Sequence, residues 1–458
     1  MSQNGVKTLL CSKSTDVRIS TFGRRSLRKA FTFNPRQQQH IRRIMANSSS
    51  ASALLYAATI SMPASQGARP DDDLTKTKAW HTENGRFENP WPSWNNQTPW
   101  KIMGGMIKRR FNGRANSPDT TPPTIPVRKP TFLPSREQND KIRATWLGHA
   151  CYYVEFPSGL RVLFDPVFED RCSPFSFMGP KRYTEKPCNI ADIPFIDAVV
   201  ISHSHYDHLS VSSVREVSTR FPNCHFFVPL GNKKWFAECK IQQCTELDWW
   251  DEVDFTLTPQ SPSSNDSKPE ISDVDTAQPS SNTITARISC LPCQHIANRG
   301  LFDRGATLWS SWSVTSGTPG TSQPPKSVYF GGDTGYRAVP ESSDGKDDWS
   351  EEYSHLPICP AFKEIGKHRG PFDLGLIPIG AYMPRWIMSP MHSNPRDSVE
   401  IFRDTGCKRA LGIHWGTWVL TEEDVLEPPR LLKQALQHHN IPTEGVFDVC
   451  DIGESREI

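Results

Sequence analysis

At 458 residues with 36% hydrophobic side chains, the chain is long enough to bury a substantial core and short for three domains. A net charge of +2 supplies no overall field that would recruit nucleic acid or select an anionic substrate. The twelve cysteines are scattered without a small-domain framework, and no secretory signal is evident, which favours a reducing, intracellular setting.

Charge is unevenly placed. Residues 1–50 hold ten Lys/Arg and a single acid, Asp16. This Arg- and Ser-rich start reads either as a mitochondrial targeting segment or as a basic tail, with Met45 as an alternative start. Residues 1–75 are polar and poor in aromatics, and are expected to be mostly disordered. No run reaches the roughly 18 apolar residues a membrane-spanning helix needs; Ala51 to Ala64 is too short and is broken by Ser and Pro. From Trp80 the character changes, and residues 76–140 read as an aromatic, membrane-proximal segment and linker. Met103, Met106 and Ile107 fall at i, i+3 and i+4, so the stretch Trp100–Phe111 predicts a short amphipathic helix weakened by Gly104 and Gly105. Its Trp, Met and Lys/Arg suit a peripheral membrane surface. Packing on the domain that follows is the alternative.

Residues 141–458 read as the catalytic domain. Ile142 to His149 predicts a strand running into a turn, and Tyr152–Phe156 with Leu160–Asp165 predicts a hairpin. Ile196–Ile201 is a short apolar run expected of a buried strand, followed by a helix over Val211–Phe221 and a strand over His225–Pro229. Low-complexity insertions are expected near 258–282 and 316–326, with a third excursion over 341–352. Further strand-like runs end at His295, Asp333 and His414. Cys290-Leu-Pro-Cys293 has redox or zinc spacing but no second such pair, so it reads as a buried strand end.

Ser202-His-Ser-His-Tyr-Asp-His208 follows the Ile196–Ile201 strand directly. Alternate residues of an extended segment project the same way, so His203 and His205 can reach one ion. Asp207 and His208 lie beyond the turn and can face a second. Imidazole and carboxylate are ligand types that suit zinc. One loop cannot enclose two metals, and His295, Asp333 and His414 are the candidates that complete the set, because each ends a strand where loops converge. His81, His368, His438 and His439 sit in polar or helical context and are expected to be solvated. His149 and Asp165 read as residues that orient ligands.

His-x-His-x-Asp-His followed by single His, Asp and His ligands resembles the metallo-β-lactamase superfamily. Asn89-Pro-Trp-Pro, Thr145-Trp-Leu-Gly-His-Ala, Gly179-Pro-Lys-Arg-Tyr, Leu247-Asp-Trp-Trp, Pro292-Cys-Gln-His, Gly332-Asp-Thr-Gly-Tyr, Pro384-Arg-Trp and Ile413-His-Trp-Gly-Thr narrow the resemblance. Together they resemble the N-acyl-phosphatidylethanolamine-hydrolysing phospholipase D family. The resemblance implies an α/β fold, an αββα sandwich of two mixed sheets flanked by helices, carrying two Zn2+ ions. It assigns His203, His205 and His295 to one zinc and Asp207, His208 and His414 to the other, with Asp333 bridging. It also implies that Tyr206 and His392 contact the substrate head group, and that Asp207, Asp333 and His392 take part in catalysis. Met391 precedes His392 where the family carries glutamine, a departure that bears on head-group preference.

The implied reaction is hydrolysis of N-acyl-phosphatidylethanolamine to an N-acylethanolamine and phosphatidic acid. The implied partners are a phospholipid substrate and a membrane surface, with a homodimer left open. Hydrolysis of another ester, lactone or phosphodiester is the competing enzymatic reading, and a catalytically inactive membrane scaffold is the non-enzymatic one. The absence of a basic patch around the motif counts against nucleic acid.

Overall fold

Alternate residues along the central strands enter two different cores, and this fixes the architecture. The computed structural model describes residues 55–136, 140–260, 283–300, 302–317 and 324–458. The basic start, with its targeting reading, and most of the two low-complexity insertions lie outside the described residues.

In chain order the strands are β1 (Leu55–Ser61), β2 (Arg143–Gly148), β3 (Cys151–Glu155), β4 (Arg161–Phe164) and β5 (Ala198–Val200). They continue as β6 (His225–Pro229), β7 (Cys244–Leu247), β8 (Glu252–Gln260), β9 (Ile284–Leu291) and β10 (Ser311–Gly317). The last five are β11 (Lys326–Phe330), β12 (Leu374–Pro378), β13 (Arg409–Ile413), β14 (Phe447–Asp448) and β15 (Ser455–Glu457). One sheet runs β1-β8-β9-β10-β11-β12-β13-β14 and the other β15-β2-β3-β4-β5-β6-β7. Each is mixed: the first turns parallel from the β11–β12 pair onward, the second from the β4–β5 pair onward.

Trp146, Tyr152, Val154, Val162, Phe164 and Val200 face the opposite sheet, where they meet Phe255, Ile288, Trp312, Val328 and Phe330 in one core. Their neighbours Tyr153, Leu163, Val199, Phe226 and Val228 face outward and are covered by Val214, Val217 and Phe236. Those three belong to the helices Val211–Arg220 and Lys233–Glu238. The outer face of the first sheet is covered by the helices Ala361–His368, Pro395–Thr405 and Glu427–His438. Period-two alternation with both faces apolar therefore yields a four-layer αββα sandwich, the fold that the family resemblance implies.

One local expectation changes. Leu55–Ser61 falls inside the segment expected to be disordered, and the structure instead pairs it antiparallel with β8 along its whole length, from Leu55 opposite Gln260 to Ser61 opposite Asp254. The outer edge of β8 offers unpaired backbone groups, and Tyr56, Ala58 and Ile60 pack on the main core as the strand covers it. His81 is exposed, as expected, and also contacts Asp248 at 2.8 Å. The same carboxylate accepts from Lys78 Nζ and the buried Trp80 Nε1, each at 2.7 Å. The expected helix forms over Pro99–Phe111. Cys290 and Cys293 are both buried, at and just beyond the end of β9.

Candidate metal centre

Five strand ends converge on one point. β5 delivers His203–His208, and β4 delivers Asp165. β9 leads to His295, β11 to Asp333 and β13 to His414. Close backbone approach is required at two glycines. A Cβ on Gly332 (φ +56) would meet the Ser202 Cβ at 2.6 Å, and one on Gly335 would meet the Pro390 carbonyl oxygen at 2.2 Å. Three site residues, His149, Asp165 and His414, hold positive φ (51, 38 and 65), a conformation retained where surrounding structure over-determines it.

Asp333 Oδ2 is the hub. It lies 3.1 Å from His208 Nε2, 3.0 Å from His414 Nε2 and 3.8 Å from Nε2 of both His203 and His295. His392 Nδ1 stands 3.9 Å from it. Asp207 Oδ2 lies 3.4 Å from both His208 and His414 and 3.0 Å from His149 Nε2. Ligand atoms of His203, His205, His295 and Asp333 fall within 4.8 Å of one another. Those of His149, Asp207, His208 and His414 do the same, as do those of Asp333, His392 and His414. All seven residues proposed from the sequence as metal ligands are thus brought together. His149 enters one of the groups directly, and His392 enters another. Tyr206 is half-buried and packs beside Val167, Cys172 and Trp418.

The donor chemistry fits a cation. His203 Nδ1 donates to Ser202 Oγ at 2.9 Å, while that hydroxyl donates to Asp165. His208 Nδ1 donates to Asp165 Oδ2 at 2.6 Å, and His295 Nδ1 to the Met391 carbonyl at 2.9 Å. His205 Nε2 donates to Asn298 Oδ1 at 3.1 Å. With the far nitrogens so occupied, the near nitrogens of His203 and His205 present lone pairs to each other at 2.8 Å, and those of His205 and His295 at 3.3 Å. Outer hydrogen bonds of this kind orient imidazoles for coordination. His208 Nε2, His414 Nε2 and Asp333 Oδ1 are buried without a hydrogen-bond partner, a costly arrangement that a bound metal would relieve.

Charge divides the cluster. Burial drives His203 and His295 well below their ordinary range and His392 down to about 3, so these rings are neutral. Burial also opposes charge on His414, but Asp333 and Asp207 outweigh it and hold this ring at about 9. His208 is raised for the same reason by Asp333, Asp207 and Asp165. Asp333 lies well below the usual carboxylate range, because His208 and His414 overcome the burial that would raise it.

Sign follows from direction. The raised histidines stabilise the metal-free fold fully below the ordinary 6.5 and lose that contribution as pH rises through about 9. The depressed Asp333 contributes above its ordinary 3.8, and that contribution is lost as pH falls through its lower folded value. His203, His295 and His392, held below 6.5 by burial, act the other way and cost stability as pH falls below that value. Chelator-treated protein is therefore expected to melt highest near pH 6.5 and at progressively lower temperature toward about pH 9 and toward about pH 4. Thermal scans across pH check this, and a melting temperature that rises from pH 6.5 to 9 would contradict it.

Sequence reasoning missed three supporting residues. Asn298 and Arg299 sit three and four positions after His295, a proximity that is their only sequence signal. Arg385, in the Pro384-Arg-Trp stretch, donates Nη1 to the His392 carbonyl at 3.3 Å and pairs with Asp348 and Asp397 at 2.9 and 2.5 Å.

The Beta-lactamase superfamily domain model matches residues 160–415, more than half of the chain. Fold and family model together define a metal-dependent hydrolase. The chain is 36% identical over 317 residues to N-acyl-phosphatidylethanolamine-hydrolyzing phospholipase D 1 of Caenorhabditis elegans, covering 68% of this chain and 74% of that one. It is 28% identical to the mitochondrial N-acyl-phosphatidylethanolamine-hydrolyzing phospholipase D of Saccharomyces cerevisiae, over 76% of this chain and 71% of that one. The chain belongs to the N-acyl-phosphatidylethanolamine-hydrolysing phospholipase D family. Among solved structures, a metallo hydrolase from Ignicoccus hospitalis resembles it with a TM-score of 0.40 and 16% identity, over 69% of this chain and 98% of that one.

Proposed function

We propose that the protein is a zinc-dependent phospholipase D that hydrolyses N-acyl-phosphatidylethanolamine to an N-acylethanolamine and phosphatidic acid. The observation that carries the reading is Asp333, shared by two groups of ligand atoms. The names of the relatives support the substrate. One zinc would be held by His203, His205 and His295 and another by Asp207, His208 and His414, with Asp333 between them. Bound there, the two ions would supply an activated water and neutralise charge on the phosphoryl oxygens.

The chain's own residues then bind and orient. His392 is neutral at physiological pH and sits on the rim of the cluster, so it acts as a hydrogen-bonding group toward the phosphate. Tyr206 offers a hydroxyl on the flank of the motif loop. Ser202, Asp165 and the Met391 carbonyl keep the imidazoles turned inward.

A lipid substrate suits the surface nearby. On the helix Pro99–Phe111, Trp100 is 77% exposed and Phe111 89%, with Met103, Met106 and Ile107 also exposed and Lys101 and Arg110 among them. Gly105 of this helix abuts Trp386, six residues before His392. The loop bearing Phe175, Phe177 and Met178 adds a second apolar tip. Among the described residues no helix is long and apolar enough to cross a membrane. We read these side chains as resting in a bilayer surface, as an interfacial helix does. A mitochondrial membrane is one such surface, in keeping with the name of the yeast relative.

Purified protein is expected to release N-acylethanolamine from defined N-acyl-phosphatidylethanolamine vesicles. Turnover of a lactone or single-stranded RNA instead would sink the substrate reading. Trp100→Ser with Ile107→Ser is expected to lower activity on vesicles by roughly ten- to a hundredfold while sparing a monomeric short-chain substrate. Equal loss on both substrates would contradict the membrane role.

A further inference from the structure

The loop after His295 does more than end a strand. Asn298 Nδ2 donates to the Gly300 carbonyl at 3.2 Å, which leaves Oδ1 facing His205 Nε2. An amide oxygen only accepts, so His205 Nε2 carries the proton and Nδ1 the lone pair. That lone pair is the one directed at His203 and His295. Asn298 thus selects which ring nitrogen of His205 enters the cluster.

Arg299 acts on the same loop from the other side. Its Nη1 donates to the carbonyls of Ser204 and Leu209, both at 2.8 Å, which bracket Tyr206, Asp207 and His208. Its guanidinium lies 4.0 Å from the Tyr206 ring centroid and 5.2 Å from that of Trp235. The turn is itself fixed, because Asp303 accepts from the backbone N–H of Arg299 and of Gly300, at 2.9 and 2.8 Å. A lysine offers no planar face and no fork, so it cannot reproduce this set.

We infer that Asn298 and Arg299 form a positioning pair that sets the ring of His205 and the span of the His203–His208 loop, and with them the affinity of the ion held by His203, His205 and His295. The inference rests on the metal reading above. Neither side chain is required as a ligand; the pair acts through residues that are.

The test is zinc titration of the metal-stripped full chain against a competing chromophoric chelator, with thermal unfolding of the stripped proteins alongside. Asn298→Leu is expected to weaken the tighter zinc by about 10- to 100-fold, the cost typical of a lost outer partner. Asn298→Asp restores an acceptor and is expected to bind as the parent does. Arg299→Lys is expected to speed amide exchange across Ser204–Leu209 in the zinc-loaded protein. Metal-free melting temperatures of the two Asn298 variants should stay level with the parent. Parental zinc affinity in Asn298→Leu, or a metal-free melt that falls with affinity unchanged, would overturn the inference. A parent chain that binds no zinc would instead sink the metal reading, and this inference with it.

Discussion

Asp333→Asn is expected to lower bound zinc after dialysis and to cut turnover by more than about a hundredfold, beyond what loss of an outer hydrogen-bond partner costs. The substitution preserves shape and removes charge. One oxygen of Asp333 lies within 3.9 Å of His203, His208, His295, His392 and His414, so no other carboxylate can take its place between the two groups. Asp207 faces only the His149, His208 and His414 side. An amide at 333 would present one neutral oxygen and an NH2 that cannot coordinate, among rings of which His208 and His414 are positively charged in the metal-free state. Elemental analysis alongside product release checks both halves of the expectation. Full activity in the variant would refute a bridging role for Asp333.

What the sequence disclosed follows from how the information is distributed along it. The loop His203–His208 was legible because four ligands lie within six positions after an apolar strand. His295, Asp333 and His414 were legible one step further, as lone ligand-type residues at strand ends. Their convergence was not, since it depends on two sheets facing each other. The helix Pro99–Phe111 shows the limit of propensity: its glycines argue against a helix, yet a Cβ on Gly105 would come within 2.3 Å of the Trp386 ring. Contact with a residue far along the chain explains that glycine, and local reading cannot see it. Arg385 was hidden for the same reason. Its partners Asp348 and Asp397 stand 37 and 12 positions away, one in the polar excursion over 341–352 and the other in the first turn of the helix Pro395–Thr405.

Arg385 is where stability and chemistry meet. The guanidinium is almost wholly buried, and Arg337 joins its two carboxylates from the other side, at 3.6 Å from Asp348 and 3.4 Å from Asp397. Asp397 also caps its own helix, accepting from the Asn394 backbone N–H at 3.2 Å. Arg385→Ala removes one cation and leaves two buried carboxylates sharing what remains. Breaking a buried pair from one side costs about 3–5 kcal/mol, because the uncompensated charge stays behind. Urea unfolding is expected to show a loss of that size. The His392 carbonyl loses its Nη1 donor in the same change, so the loop that carries His392 slackens while the metal residues keep theirs. Arg385→Lys can retain the charge without the fork, and should recover much of the stability while kcat stays depressed and bound zinc stays parental. If the lysine variant recovers kcat together with stability, Arg385 is holding the fold alone and His392 does not depend on it.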